Sequence, residues 1–264
     1  MNHPSLLIVV PTLDSYALLP RLVQSLQAQT WPHWRLLFID GPSSLEHRRW
    51  LSQCCTADTR CRLVLQSKTQ PGIFGAMNHG FALAAPEDWL LFWGSDDWAA
   101  SNDVLESVMS LIESSQPSPD LIVCHGRYAN AHTSSLGRIT TFKRLGLLKA
   151  SSFRRALFFG STPPHQATFF GPGSRSRLCS YSSSFRLSAD LDYFLQISSH
   201  SDLLVHCIDT ELVHMSEGGV SGQQMKRRLQ EVRFAYWRSF RSIWFVPFLA
   251  RYVRRLVSLM SSWL

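Results

Sequence analysis

The chain has 264 residues, 45% hydrophobic and 17% charged, enough to bury a sizeable core in one large domain, with or without an appendage. Residues 226–264 hold nine Lys/Arg against one acid, Glu231, which leaves 17 basic and 18 acidic groups over residues 1–225. The +7 surplus therefore belongs to the tail, and so does any anionic partner.

The six cysteines form no C-x-x-C pair and no zinc spacing; a chain of this length needs no disulfide framework, so a reducing compartment is expected. The opening MNHPSLLIVVPT lacks the cationic lead and the length of a secretory leader. No run of about 20 apolar residues suggests a membrane span.

LLIVV (6–10) reads as a fully buried strand, followed by a helix carrying Leu18, Leu19, Leu22, Val23 and Leu26 at helical spacing. RLLFID (35–40) is a second strand, ending in a turn at Asp40-Gly41-Pro42-Ser43, and RLVLQ (62–66) a third. Residues 73–84 read as a helix, WLLFW (89–93) as a fourth strand, 102–113 as a helix and DLIVC (120–124) as a fifth strand. Beyond 125 the alternation weakens. HQATFF (165–170) is strand-like, 186–197 is helical with Ser188 as N-cap, and LLVHCI (203–208) is a late strand. Apolar strands alternating with amphipathic helices predict an α/β fold with a mostly parallel central sheet and helices on both faces.

In such sheets ligands bind beyond the carboxyl ends of the strands. Asp14, Asp40 and the adjacent Asp96-Asp97 all lie just past a strand end, so separate strands deliver carboxylates to one rim. Two neighbouring carboxylates suit a hard divalent cation carrying a diphosphate; taken alone they suit a turn and a helix start better. Asp40 before Gly-Pro-Ser is also a common turn residue. Asp190 and Asp192 point apart on a helix, so only one can face a cleft and act as a base. His165-Gln166 follow two prolines that hold an extended approach. The loop GGVSG (218–222) reads as a lid or a hinge.

Together these segments resemble the family 2 glycosyltransferases, inverting enzymes of the GT-A fold, and among them the bacterial builders of surface polysaccharides. The resemblance lies in IVVPTLDSYALLPRLVQSLQAQTWPHWRLLFIDGPSS, QPGIFGAMNHGFALA, GSDDW, HQATFF, SADLDYFLQI and GGVS, in that order, over about residues 5–222. It implies a GT-A, Rossmann-like domain over 1–225, with a nucleotide-sugar half (1–125) and an acceptor-side half (126–225). It further implies transfer, with inversion, from a UDP- or GDP-linked sugar to a glycan or lipid-linked acceptor. Asp190 would be the catalytic base. Asp40 would bond the nucleobase, with Pro11, Thr12 and Asp14 beside the nucleoside. Asp96 and Asp97 would serve a Mg²⁺ or Mn²⁺ diphosphate, and Gly72, Asn78, Ser95, His165 and Gln166 would line the substrate.

Three positions depart from the family pattern: Gly94 stands at the first place of the usual D-x-D, Gly75 replaces an aspartate, and Gln70 replaces an acid. They motivate an alternative, a binding protein for sugar nucleotides or glycans that kept the fold and lost turnover.

The tail carries two apolar stripes, Leu229, Val232, Tyr236, Phe240 and Ile243, then Leu249, Tyr252, Val253, Leu256, Met260 and Trp263, with Pro247 expected to break the run. A basic amphipathic helix of this kind reads as a membrane-surface anchor or as a helix packed on the domain. A peripheral place on the cytoplasmic face of an anionic inner membrane is the expectation. A membrane-associated scaffold, with the tail as its working part, is a third reading, and no nucleic-acid motif appears.

Overall fold

The computed structural model describes residues 3–130, 135–142, 144–216 and 224–260, with side chains through 254. The loop GGVSG and Trp263 lie outside the described residues.

β1 (Leu6–Thr12) is the centre of the fold. Leu6 through Val10 are all buried, and successive strand residues serve opposite faces. Leu7 and Val9 enter one core layer, while Leu6, Ile8 and Val10 enter the other. That explains an uninterrupted apolar run where one-sided strands alternate. α1 (Leu19–Gln27) buries Leu19, Leu22, Val23 and Leu26, whereas Leu18 is exposed at its N-cap. β2 (Trp34–Asp40) pairs with β1 in parallel, with Thr12 opposite Asp40.

α2 (Leu45–Ala57) was not expected: it buries only His47 and Leu51 and so shows little apolar period. Its start is legible instead in Ser44, whose hydroxyl accepts the His47 N–H. β3 (Cys61–Leu65), α3 (Ile73–Leu83) and β4 (Trp89–Phe92) follow as expected. Gly80 brings α3 against β1, since a Cβ there would stand 2.6 Å from Val9.

β5 (Asp97–Ala99) and α4 (Val104–Ser114) lead to β6 (Leu121–Ala129), which β7 (Leu136–Thr140) joins as a hairpin partner. β8 (Gly146–Lys149) runs into α5 (Ala150–Phe158), which buries Ala150, Phe153, Ala156 and Leu157. The stretch 165–170 is only half strand: His165–Ala167 form one 3-10 turn, and β9 is Thr168–Phe170. The preceding prolines impose that turn, whose Ala167 N–H reaches the Pro164 carbonyl.

α6 (Pro172–Arg177) and α7 (Ala189–Ile197) precede β10 (Leu204–Ser216). β10 is more than twice its expected length. Its polar middle, Asp209-Thr210-Glu211, hid the continuation, and register shifts there re-aim the strand from β8 toward β5.

The sheet order is β3-β2-β1-β4-β9-β6-β10-β5. The block β3-β2-β1-β4 is wholly parallel, β10 pairs with β6 in parallel, and β9 is antiparallel to both its neighbours.

α8 (Met225–Phe240) lies on α7 and sends Val232, Ala235 and Tyr236 into the core. The run breaks before Pro247, at Arg241, a non-glycine residue with φ 49° that begins a 3-10 turn (Arg241–Ile243). Pro247 sits in the first turn of α9 (Phe245–Met260), where its missing N–H costs nothing. α9 rests on the core through Phe248 and Tyr252 and exposes Phe245, Leu249 and Val253. Among the described residues, no helix is long and apolar enough to cross a membrane.

Candidate active site

The parallel strands β1, β2 and β4 deliver their carboxyl ends to one edge. β4 stops opposite Val9, and beyond it the chain stays close to β1: the Trp93 N–H reaches the Val9 carbonyl, and the Ser95 hydroxyl donates to Pro11. Ser15 in turn donates to Ser95 at 2.8 Å. Pro11, Thr12 and Ser95 thus form one continuous lip.

Asp40 anchors this lip from beneath. Its side chain has no exposed surface. It accepts from Thr12 Oγ1 at 3.0 Å, Ser43 Oγ at 2.6 Å and Arg48 Nε at 3.4 Å. His47 Nε2 stands 3.1 Å away without hydrogen-bonding geometry. Four neighbours, on β1, α2 and the turn that joins β2 to α2, thus converge on one buried carboxylate, and as its partners three of them escaped the sequence reading. Asp14 above it is exposed and adopts φ 47°, a left-handed conformation unusual outside glycine and Asn/Asp. Its carboxylate accepts the Ser44 N–H at 2.8 Å, which lowers its pKa.

Asp96 is half-buried and Asp97 buried. Burial raises both pKa values, Asp97 well above the ordinary range because the Asp96 charge adds to the desolvation. Asp97 Oδ2 accepts the Gly94 N–H, and the Ser216 hydroxyl at the end of β10 donates to the Asp96 carbonyl. Gly94 is matched to this arrangement: a Cβ there would stand 2.8 Å from Asp96 Oδ1 and 3.2 Å from Asp97 Oδ2.

Among the described residues no group of three or more His, Cys, Asp or Glu side chains could hold a metal ion. Two adjacent carboxylates fit a hard cation that takes its other ligands from phosphate and water. A cation would relieve the desolvated, like-charged pair.

The stretch 165–170 joins the same edge through Trp93, whose indole N–H donates to the Gln166 carbonyl at 3.0 Å, and through Phe92, stacked on His165 at 5.7 Å. The Gln166 contact shown here is thus its backbone. His165 is buried, its Nε2 lies 2.7 Å from Tyr181 Oη, and burial lowers its pKa to about 4. The ring is neutral at pH 7. Asp190 at the start of α7 is half-exposed and close enough for its charge to act on both His165 and Tyr181. Tyr181 was missed by the sequence reading. Asn78 fixes it, donating to the Tyr181 carbonyl at 2.9 Å and accepting its N–H at 2.6 Å. Asn78 therefore acts on the loop beside the site.

Ser188 stands at the N-cap of α7, as expected, but its hydroxyl makes no cap bond. The backbone N–H groups of Arg186, Leu187 and Ser188 instead donate to Glu231 on α8, at 2.8–3.1 Å. Asp192 faces away from Asp190, 3.1 Å from Arg238 Nη1.

Gly72, with φ 84° and nothing within 4 Å of a Cβ, begins α3. Gly75 and Gln70 meet in space: a Cβ at 75 would stand 2.1 Å from the Gln70 carbonyl, which Gln66 Nε2 also contacts at 2.8 Å.

The chain is similar to proteins of known family and fold. A PGL/p-HBAD biosynthesis glycosyltransferase of Mycobacterium bovis (strain BCG / Pasteur 1173P2) is 29% identical over 222 residues, 84% of this chain and 80% of the relative. The Staphylococcus aureus TarS 1-349 structure in complex with UDP-GlcNAc superposes with a TM-score of 0.68 at 13% identity, covering 88% of this chain and 65% of that one. The mannosyltransferase PcManGT from Pyrobaculum calidifontis, in complex with GDP-Man and Mn²⁺, gives 0.64 at 14% identity, covering 96% and 70%. The two structures share the GT-A fold with this chain. The family model described as glycosyl transferase family 2 matches residues 7–178, which takes in the parallel block and the lip and ends before Tyr181 and Asp190. The chain belongs to that family.

Proposed function

We propose that this glycosyltransferase moves a sugar from a UDP- or GDP-linked donor to a hydroxyl of a glycan or lipid-linked acceptor, with inversion, in building a cell-surface glycan. The observation that carries the reading is the half-exposed Asp190 beside the neutral His165–Tyr181 pair, on the edge where β1, β2 and β4 end.

Asp190 takes the proton from the acceptor hydroxyl. The oxygen attacks the anomeric carbon from the face opposite the nucleoside diphosphate, the carbon–phosphate-oxygen bond breaks, and the diphosphate leaves with the bonding pair. Asp96 and Asp97 would hold Mg²⁺ or Mn²⁺, which offsets the charge of that leaving group. The lip of Pro11, Thr12, Asp14 and Ser95 takes the nucleoside, and buried Asp40 fixes the lip. His165 presents a neutral ring toward the sugar, and Asn78 and Gly72 shape the wall. Sharing of the family and fold with proteins bound to UDP-GlcNAc and GDP-Man supports a nucleotide-sugar donor. Exposed Ile243, Phe245, Leu249 and Val253 within the basic segment 226–264 support peripheral contact with the anionic cytoplasmic face of a membrane.

The test is Asp190→Asn, assayed for transfer and nucleotide release with Mg²⁺ or Mn²⁺. Loss of turnover by about 10²–10⁴-fold with nucleotide binding retained is expected for a lost base. Wild-type turnover in that variant removes Asp190 from the role. Nucleotide binding without turnover of any donor by the wild type supports the binding-protein alternative.

A further inference from the structure

Two cavities border α5, and both are lined by arginine. The larger, about 480 Å³, lies between α5, the C-terminal end of α7 and the end of α8, and its polar wall is Arg154, Gln196, Ser199, Arg238, Ser239 and Arg241. Among the described residues no carboxylate lines it, and Asp192 behind it offsets only Arg238. Arg154 is held by neutral acceptors, the Leu195 and Ser239 carbonyls and Ser198 Oγ, and burial lowers its pKa as expected of a cation short of counter-charge. Arg241 is set over the Trp237 ring at 5.4 Å by its unusual backbone, φ 49° and ψ −124°, a conformation disfavoured for non-glycine residues. The smaller cavity, about 260 Å³, carries Arg144 and Arg254 and, among the described residues, again no acid.

Each opening has an exposed aromatic at its wall, Trp237 at 46% and Phe159 at 52% exposure, and α9 exposes Phe245, Leu249 and Val253 nearby in the chain. Guanidinium forks match phosphate oxygens, and Trp or Phe beside them matches a lipid interface better than water.

We propose that the cavity between α5, α7 and α8 seats the phosphodiester of an anionic phospholipid headgroup, with Arg154 and Arg241 as its cations and Trp237 at the acyl boundary. This rests on the membrane contact proposed above and makes it specific: part of the lipid site is built outside residues 226–264, by α5 and α7.

The test is co-sedimentation of the full chain with vesicles of phosphatidylcholine alone or mixed with phosphatidylglycerol. Arg154→Gln and the more exposed Arg241→Gln are compared with Lys226→Gln, about 20 Å away along α8. Binding that needs phosphatidylglycerol is expected, weakened about fivefold by either cavity variant and unchanged by Lys226→Gln. Arg241→Gln keeps the test intact if Arg154→Gln fails to fold. Equal losses in all three variants, or binding indifferent to phosphatidylglycerol, overturn the cavity and leave the membrane reading standing. Absence of all vesicle binding overturns both. Inorganic phosphate that raises the wild-type Tm but not that of Arg241→Gln, with no vesicle binding, assigns the site to a soluble phosphate and overturns the lipid.

Discussion

Glu231 Oε2 on α8 accepts the Ser188 N–H at 3.0 Å, two residues before Asp190, and takes the Leu187 N–H at 2.8 Å as well. The one acid of a basic tail thus closes the start of the helix that carries the proposed base. Such charged acceptors are worth more than neutral ones. Glu231→Gln is expected to cost about 1–3 kcal/mol of stability and to lower kcat with little change in donor KM, because α7 shifts relative to the lip. Urea unfolding and steady-state kinetics separate the two effects. A stability loss with kcat unchanged makes Glu231 structural alone.

Arg238 and Asp192 form the second clasp between α8 and α7. Asp192 has no exposed side-chain surface, and burial raises its pKa to about 6 despite the Arg238 charge. A carboxylate whose folded pKa is raised favours folding in its protonated form. Its contribution therefore falls as pH rises from about 4 to about 6 and is level above. Asp192→Asn should abolish that slope at little cost. Arg238→Ala should cost about 1–3 kcal/mol at pH 7, less than a fully buried pair because the guanidinium is one-third exposed. Denaturation curves across pH 4–8 check both.

His165 gives the opposite sign. Its folded pKa is lowered from 6.5 to about 4, so its contribution is complete above 6.5 and is lost as pH falls toward 4. The loss approaches about 3 kcal/mol at roughly 1.4 kcal/mol per pKa unit. His165→Gln should flatten the stability curve between pH 6.5 and 4. NMR titration of the ring should show no protonation near pH 6; a midpoint at 6–7 excludes the buried neutral state.

Gly75→Asp would restore the residue usual in the family, yet it is expected to harm this protein. A Cβ at 75 would stand 2.1 Å from backbone, the Gln70 carbonyl, with no flexible side-chain end to move aside. Loss of about 2 kcal/mol or more is expected, with turnover reduced as the 66–72 loop is displaced. Gly75→Ala should carry most of the same penalty, because the first carbon is the obstacle. Thermal unfolding of both variants decides this.

The parallel block was readable from sequence because β1, β2 and β4 are buried on both faces, so apolar runs mark them without ambiguity. α5 was equally readable in its buried Ala150, Phe153, Ala156 and Leu157 spacing, yet was overlooked among Ser and Arg. α2 and β5 were not: one buries two side chains, the other is three residues long. At the site, the acids could be placed on one edge because strand ends share it. Their partners could not. Nothing local marks Ser216 as the donor to Asp96, or Tyr181 as the partner of His165, since those pairings depend on where β10 and the 178–188 loop cross the sheet. Glu231 left one trace, a lone acid among nine basic residues.

β9 has a consequence for how the protein is made. Its Phe170 pairs with Leu90 on one side and Leu121 on the other, so a nascent chain of the first 125 residues lacks the rung that joins β4 to β6. Residues 1–125 cannot close their sheet until the ribosome has delivered Thr168–Phe170. Such distant pairing favours slow folding, on the order of milliseconds to seconds, with β4 and β6 gaining protection from proteases together.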